Sequence, residues 1–379
     1  MTRKYDILTH PQNGQDLAFD HLEALDVDLW LTNGALIAFD DTAYIGFGEA
    51  FWDSSPAPHG NKKALCFYFP DFFLQDPKPW VHYQYETLLP ISLLRKLLAQ
   101  LPIEKQIAPI RWQEPERSLF QDGFQTLQEA FKDCKLDKAV LYAFSKRELS
   151  LSKADRQKAL KGVLGYASTT PTYAYGFWSN SEGLIGATPE MLFHAQADKL
   201  QTMALAGTQK ASDKSDMRED LKLVREHKIV VDDIKTRLKP FGHVVTGSMQ
   251  IRELPLLKHL YTSLEMQLFR PLDFSALVTI LHPTPALGGF PSESAWLWLK
   301  GYNVTLPRGR FGAPVGLLMN HAGAISNEIF CFVGIRNVMW DSKSQKIGAG
   351  CGIIAESDLD AEWAELLLKT TSILRFLNL

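Results

Sequence analysis

The sequence predicts an α+β protein, with sheets packed together and helices on the outside. Three observations lead there. The first hundred or so residues alternate short apolar runs with Asn-Gly, Gly and Pro breakers, as hairpin-connected antiparallel strands do. From about Leu93 helical patterns appear, and further strand-like runs lie between and after them. In order, "ALDVDLWLTNGALIAFDD", "TAYIGFGEAFW" and "KALCFYFPDFFL" read as strands, and "SLLRKLLAQL" and "SLFQDGFQTLQEAFKDC" as helices. "SDMREDLKLVREHKIVVDDIKTRLKPFG" reads as a long amphipathic helix that Pro240 and Gly242 end. Strand-like runs are "KAVLYAFSKREL", "TYAYGFWSN", "LIGATPEMLFHAQ", "KLQTMALAG", "EIFCFVGIRNVMW" and "KIGAGCGII". No repeat and no polar linker is visible, so a two-domain split near residue 100 is not favoured.

The chain has 379 residues, 46% hydrophobic and 22% charged, which suffices for an extensive core. Its formal net charge of −3 and the lack of a long basic run exclude an obvious nucleic-acid or membrane-surface partner. Cys66, Cys134, Cys331 and Cys351 are scattered without metal or disulfide spacing and read as small buried residues. The first twenty residues carry no apolar targeting segment and no run is long enough to span a membrane, so a cytoplasmic protein is expected.

Near the C-terminus, "AEWAELLLKTTSILRF" places Glu362, Glu365 and Lys369 within about 60° of one another on a helix, with Phe376 further along the same line. One reading is a boundary stripe with a surface ion pair; the other is a partly buried cavity that holds a metal ion and an anion. Glycine-rich segments "GATPE", "ALAGT", "HPTPALGGFP", "RGRFGAPVG" and "GAGCG" are either tight turns or places where backbone N–H groups meet an anion. Lys138, Glu190, Glu226 and Arg336 interrupt apolar runs. Glu226, Glu362 and Glu365 could offer oxygen ligands to Mg²⁺, and Lys138 with Glu190 a base and an acid. From the residues alone the reading stops at metal-assisted chemistry on a small anionic substrate.

Together the segments "LDKAVLYAFSKREL", "LIGATPEMLF", "MALAGT", "REHKIVVDDI", "HLYTSLEMQL", "LHPTPALGGFP", "RFGAPVG", "VGIR" and "GAGCGIIAESDLDAEWAELLLK" resemble the chorismate-utilising enzymes. These include isochorismate synthase, salicylate synthase and the component I subunits of anthranilate and aminodeoxychorismate synthase. The resemblance implies one large domain of two packed, mainly antiparallel sheets with outer helices. It divides into a variable part over residues 1–110 and a chorismate-binding core over 111–379. It also implies that Glu226 and Glu365 hold Mg²⁺, with Glu362 assisting, and that Lys369 and Arg336 meet substrate carboxylates. Such charges are needed, because burying two unpaired carboxylates would cost several kcal/mol each. The "ALAGT" turn (Ala206, Gly207, Thr208) and the "GAGCG" turn (Gly350) are expected to supply N–H donors. His282 is either near the reacting ring or structural, and His227 structural or supporting.

Within the family, Lys138 matches the lysine that activates water in isochorismate and salicylate synthases, where amine-using enzymes usually carry glutamine. A lysine is a base only when neutral, which calls for a confined site. Ala206 stands where many aminodeoxychorismate synthases place a nucleophilic lysine. Phe311 and Ile335 stand where salicylate synthases commonly have tyrosine and leucine. The pattern looks like isochorismate synthase: Lys138 activates water for addition at C2, and Glu190 protonates the departing C4 hydroxyl. The alternatives are salicylate synthase, an amine-transferring component I, and a non-catalytic homologue. A monomer without an obligatory protein partner is expected. The sequence leaves menaquinone, siderophore and salicylate pathways equally open.

Overall fold

The computed structural model describes residues 24–56, 64–102, 111–320 and 327–379. The N-terminal stretch read for a targeting segment, and the boundary placed at residue 110, lie outside the described residues. The described chain opens with α1 (Val27–Thr32), β1 (Gly34–Phe39), β2 (Thr42–Asp53), β3 (Leu65–Tyr68), β4 (Trp80–Pro90) and α2 (Ile91–Gln100). Then come α3 (Arg117–Lys132), β5 (Lys138–Arg147), α4 (Lys153–Ala167), β6 (Tyr173–Trp178), β7 (Gly183–Thr188), β8 (Met191–Gln196), β9 (Lys199–Lys210) and α5 (Leu221–Leu238). The remainder is β10 (Gly242–Thr246), β11 (Gln250–Glu253), β12 (Leu257–Leu268), α6 (Phe274–Leu281), β13 (Gly289–Phe290), α7 (Ser292–Thr305), β14 (Pro314–Met319), β15 (Glu328–Val333), β16 (Asn337–Trp340), β17 (Gln345–Ile353) and α8 (Leu359–Leu377).

Among the described residues all strand pairs are antiparallel, and they form two arms of one hydrogen-bonded network. One arm runs from β13 through β5, β17, β16, β7, β6 and β1 to β2. The other leaves β2 through β4, β3, β14, β15, β8 and β9 to β12, which carries β10 and β11. The two expected sheets are therefore continuous through β2, which is long enough to belong to both. Its register on β4 shifts between Phe47 and Ala50, around Gly48 at φ 88°, as a β-bulge that bends a strand.

The arms pack face to face through aromatic side chains, with Phe39 and Phe330 ring centroids 4.3 Å apart and Tyr173 and Phe332 4.4 Å apart. Outside one arm, α1, α2, α4 and α8 bury Trp30, Leu94, Leu160 and Ile373 against Leu36, Ile45 and Ile185. Outside the other, α5 and α6 bury Val230, Ile234 and Leu277 against Leu200 and Leu264. A smaller cluster fixes α3 and α8 on β5 and β17 through Phe120, Leu127, Leu141, Cys351 and Leu366. Burial of such side chains contributes about 1.5–3 kcal/mol each.

Several expectations are corrected. "VDLWLT" is α1, not strand: Asp26 accepts from the backbone N–H of Asp28 and Leu29, and six residues are too few to show a helical period. The helix α5 starts at Leu221 with Asp220 as its cap. The preceding segment is a turn in which Arg218 grips Asp216 at 2.6 Å. A 3₁₀ turn at Lys239–Phe241 and then Gly242 end the helical stretch where Pro240 and Gly242 predict it. Cys134 is exposed, whereas Cys66, Cys331 and Cys351 are buried. Among the described residues, no helix is long and apolar enough to cross a membrane.

Candidate active site

Strand ends, one bulge and two helix faces converge on one side of the network. Lys138, the first residue of β5, is wholly buried and donates from Nζ to Glu226 Oε1 on α5 at 3.0 Å. Gly352 on β17 leaves room for this pair. A Cβ there would run into the Glu226 carboxylate and stand 2.7 Å from Lys138 Cε. Gly352→Ala is expected to force the pair apart, lowering stability by about 1–3 kcal/mol in thermal unfolding together with turnover. Unchanged values would mean that the pair tolerates displacement.

Glu190 sits at the corner between β7 and β8, where its carbonyl accepts from Val333 N–H at 3.0 Å and its own N–H donates to Thr188 Oγ1 at 3.3 Å. Burial pushes its pKa from 4.5 up to about 8, against the pull of Lys138 and Lys369. A carboxyl in that position keeps its proton near neutrality.

The segments "ALAGT" and "GAGCG" are not turns. The first lies in β9 and the second in β17. Gly207, at φ 73°, is the extra residue of a bulge, since Ala206 pairs with Leu260 while Thr208 pairs with His259. The bulge brings Thr208 Oγ1 within 3.3 Å of His259 Nδ1. On its other side, His259 Nε2 accepts from Arg336 Nη2 at 3.3 Å, which places the ring proton on Nδ1. Burial first, then the nearby Arg336 and Lys369 charges, hold the imidazole well below its usual pKa and therefore neutral.

Arg336 is buried and adopts a left-handed backbone at φ 58°, a conformation that costs a non-glycine residue free energy and must be held by its surroundings. Tyr175 O–H donates to Ile335 O at 2.6 Å, and Asn337 Nδ2 to Gly334 O at 2.8 Å. These bonds aim the guanidinium inward.

On α8, Glu365 and Lys369 pair at 2.6 Å, and Lys369 Nζ also donates to Gly350 O at 2.7 Å. Burial opposes the Lys369 ammonium, but Glu365 and Cys351 hold its pKa above the ordinary value. Glu362, one turn earlier, accepts from Lys222 Nζ at 2.6 Å and Ser357 Oγ at 2.8 Å. Burial first and then Glu365 push the Glu362 carboxyl up, with Lys222 opposing. Each of the three glutamates thus has its own lysine.

The resulting cavity has about 720 Å³ of empty space, part of it open to solvent, which suits a small metabolite. Of the residues singled out in the sequence, Glu190, Ala206, Gly207, Thr208, Glu226, Phe311, Ile335, Arg336, Gly350, Glu365 and Lys369 line it. Lys138 lies just behind Glu226 and Gly352. Glu362 faces an adjoining groove with Lys222. His282 is corrected to a structural residue: its Nε2 hydrogen-bonds Phe72 O at 2.8 Å, and its ring packs on Phe72. His227 likewise bonds Thr262 Oγ1 at 2.8 Å and is structural.

His259, Lys222 and Gly352 carry no assigned role in the sequence reading. His259 opens the segment "HLYTSLEMQL", but one histidine in a buried strand looks like core until the bulge opposite it is known.

Residues 78–378 match the family described as "Chorismate binding enzyme". The chain belongs to that family. Its similarity to individual members is moderate. It is 30% identical to a "Salicylate biosynthesis isochorismate synthase" of Pseudomonas aeruginosa over 201 residues, 50% of this chain and 40% of that protein. It is 28% identical to a "Vibriobactin-specific isochorismate synthase" of Vibrio cholerae over 313 residues, 79% of this chain and 76% of that one. The match thus spans well under half of the first relative's length and about three quarters of the second's. The fold is that of MenF, the menaquinone-specific isochorismate synthase of Escherichia coli, with a TM-score of 0.70 at 19% identity over 94% of this chain and 92% of that one.

In this member of the family, the carboxylates at the cavity are oxygen donors of the kind a hard cation prefers, whereas the Cys351 thiol among them is not. Glu226 and Glu365 line the cavity. Glu362 and Glu365 bring carboxylate oxygens within 4.8 Å of each other and of Cys351 Sγ. The upward push on Glu362 from Glu365 and Glu226 is the repulsion that an oxygen-seeking divalent ion relieves.

Proposed function

We propose that the protein is an isochorismate synthase, which converts chorismate reversibly to isochorismate by adding water at C2 and losing the C4 hydroxyl. The observation that carries the reading is Glu190, a buried cavity carboxyl whose pKa of about 8 makes it a proton donor at neutral pH. Arg336, pinned inward and bonded to the neutral His259, receives a substrate carboxylate. Thr208, on the bulge, offers a hydroxyl beside it. Lys138 is the base that takes a proton from water. Its Nζ is held by Glu226 Oε1 at 3.0 Å, which fixes the direction in which it can reach a water. Ala206 leaves no nucleophile to attack the ring, and Phe311 leaves no hydroxyl beside the side chain that a pyruvate-releasing enzyme would cleave. The names of the relatives support the same branch.

Glu226, Glu362 and Glu365 would hold Mg²⁺. When bound, the ion would neutralise and orient the ring carboxylate. Glu365→Gln is expected to raise the Mg²⁺ concentration for half-maximal binding at least tenfold by calorimetry and to lower activity with it. An unchanged titration would move the metal elsewhere.

The decisive experiment incubates the protein with chorismate and Mg²⁺, first without an amine and then with ammonia, and separates products by mass. An isomer of unchanged mass without pyruvate supports the proposal. Salicylate with pyruvate, or an aminated product, overturns it.

A further inference from the structure

Around the cavity, the three lysines are each matched by a glutamate: Lys138 by Glu226, Lys222 by Glu362 and Lys369 by Glu365. Arg147, Arg156 and Lys258 are buried without an ion pair among the described residues but do not line the cavity. Two buried arginines at the cavity, one lining it and one against its Phe311, are without one too. Arg336 is one, and its hydrogen bond goes to a neutral imidazole. Arg308, 1% exposed, is the other. Its Nε donates to Phe311 O at 3.0 Å, and both terminal nitrogens lack a hydrogen-bond partner among the described residues. Its guanidinium lies 3.4 Å from the Phe72 ring centroid, 4.7 Å from that of Tyr142 and 5.4 Å from that of Phe311. Phe311 lines the cavity, so the charge stands one aromatic layer behind it.

We propose that Arg308 acts through this aromatic wall as the second uncompensated positive charge of the site, and so helps select a ligand with two carboxylates. The idea rests on the proposed chorismate reading for the identity of the dianion. Three observations support it. First, an unpaired guanidinium is costly to bury, even with aromatic faces around it, and burial pulls its pKa down to about 9. Such a charge is retained more readily when a bound anion offsets it. Second, the layer between Arg308 and the cavity is aromatic and excludes water, so its field is weakly screened. Third, Gly312, at φ 78°, leaves room for the guanidinium, since a Cβ there would stand 2.6 Å from Arg308 Nη2. At an effective dielectric constant of about 20, a charge roughly 8–10 Å from a carboxylate changes affinity on the order of tenfold.

Arg308 is a positioning and charge-bearing residue, and a purely structural role has to be separated from it. Arg308→Met keeps the bulk and removes the charge, while Arg308→Lys restores the charge. The dissociation constant of chorismate is measured by calorimetry with the full chain, alongside KM, kcat and thermal unfolding. The expected result is a rise of at least tenfold in Kd and KM for Arg308→Met, with kcat within about twofold and the lysine variant close to wild type. If Arg308→Met does not fold, Arg308→Gln is read in its place. Native Kd in the neutral variant overturns the proposal. So does a fall in kcat shared by the methionine and lysine variants, which would make Arg308 a clamp for Phe311. Wild-type protein that binds chorismate but yields another product would overturn the proposed reaction and leave the comparison of Kd values valid. Wild-type protein that fails to bind chorismate would overturn both.

Discussion

Lys138→Ala is expected to lower turnover by about 10²–10⁴-fold, while chorismate still binds within a few-fold of the native affinity. The lysine lies outside the groups that meet the substrate carboxylates. It sits behind Glu226 at the start of β5, with no exposed surface. Its loss therefore removes a proton acceptor more than a binding contact. It also leaves Glu226 without its partner, and stranding a buried charge commonly costs about 3–5 kcal/mol. Stability has to be measured beside rate for that reason. Lys138→Gln separates the two effects, because its amide can still donate to Glu226 but cannot accept a proton from water. A glutamine variant that is stable and inactive supports the base. Turnover retained in a stable glutamine variant takes the role of base away from Lys138.

Glu190→Gln is expected to cost about 10²–10⁴-fold in kcat and to change the pH profile in a defined direction. Burial raises the Glu190 pKa from 4.5 to about 8, so the native protein keeps this proton where the unfolded chain has lost it. Between those two values the folded state binds more protons, and its stability declines as pH rises through the window. The contribution is complete below about pH 4.5 and is lost as pH passes about 8. The acid form needed for catalysis disappears over the same upper range, so native kcat is expected to fall above about pH 8. The glutamine variant loses that alkaline limb and gains stability relative to wild type at pH 9. An alkaline limb that persists in the variant assigns it to another group.

Much of this site was legible because its chemistry falls in short segments with distinctive composition. Glu190 follows "LIGATP" and Arg336 follows "VGI"; charges closing apolar runs stand out whatever the fold. The spacing of Glu362, Glu365 and Lys369 on α8 survives folding because helical geometry is local. What stayed hidden depends on neighbours distant in the chain. Lys138 and Glu190 form the acid and base pair of the sequence reading, yet the lysine's bonded partner is Glu226, 88 residues away. Gly352 has an ordinary strand role in sequence, and only that pair shows why it lacks a side chain. His259 depends on a bulge in the facing strand. The helix α4 shows no clear amphipathic period because Asp155, Arg156 and Gln157 are buried along with Leu160 and Val163.

The division of the network into arms joined through β2 has a consequence for how the chain comes off the ribosome. β5 pairs with β17 along its length, although about two hundred residues separate them, and α8 follows later still. Closing such distant pairs is slow. Until β17 and α8 emerge, the nascent chain holds Lys138 and Glu190 but lacks Glu365 and Lys369, and the face of β5 that β17 and α8 cover stays open. For most of its synthesis the polypeptide therefore presents an unpaired strand edge, the kind of surface that promotes association between unfinished chains.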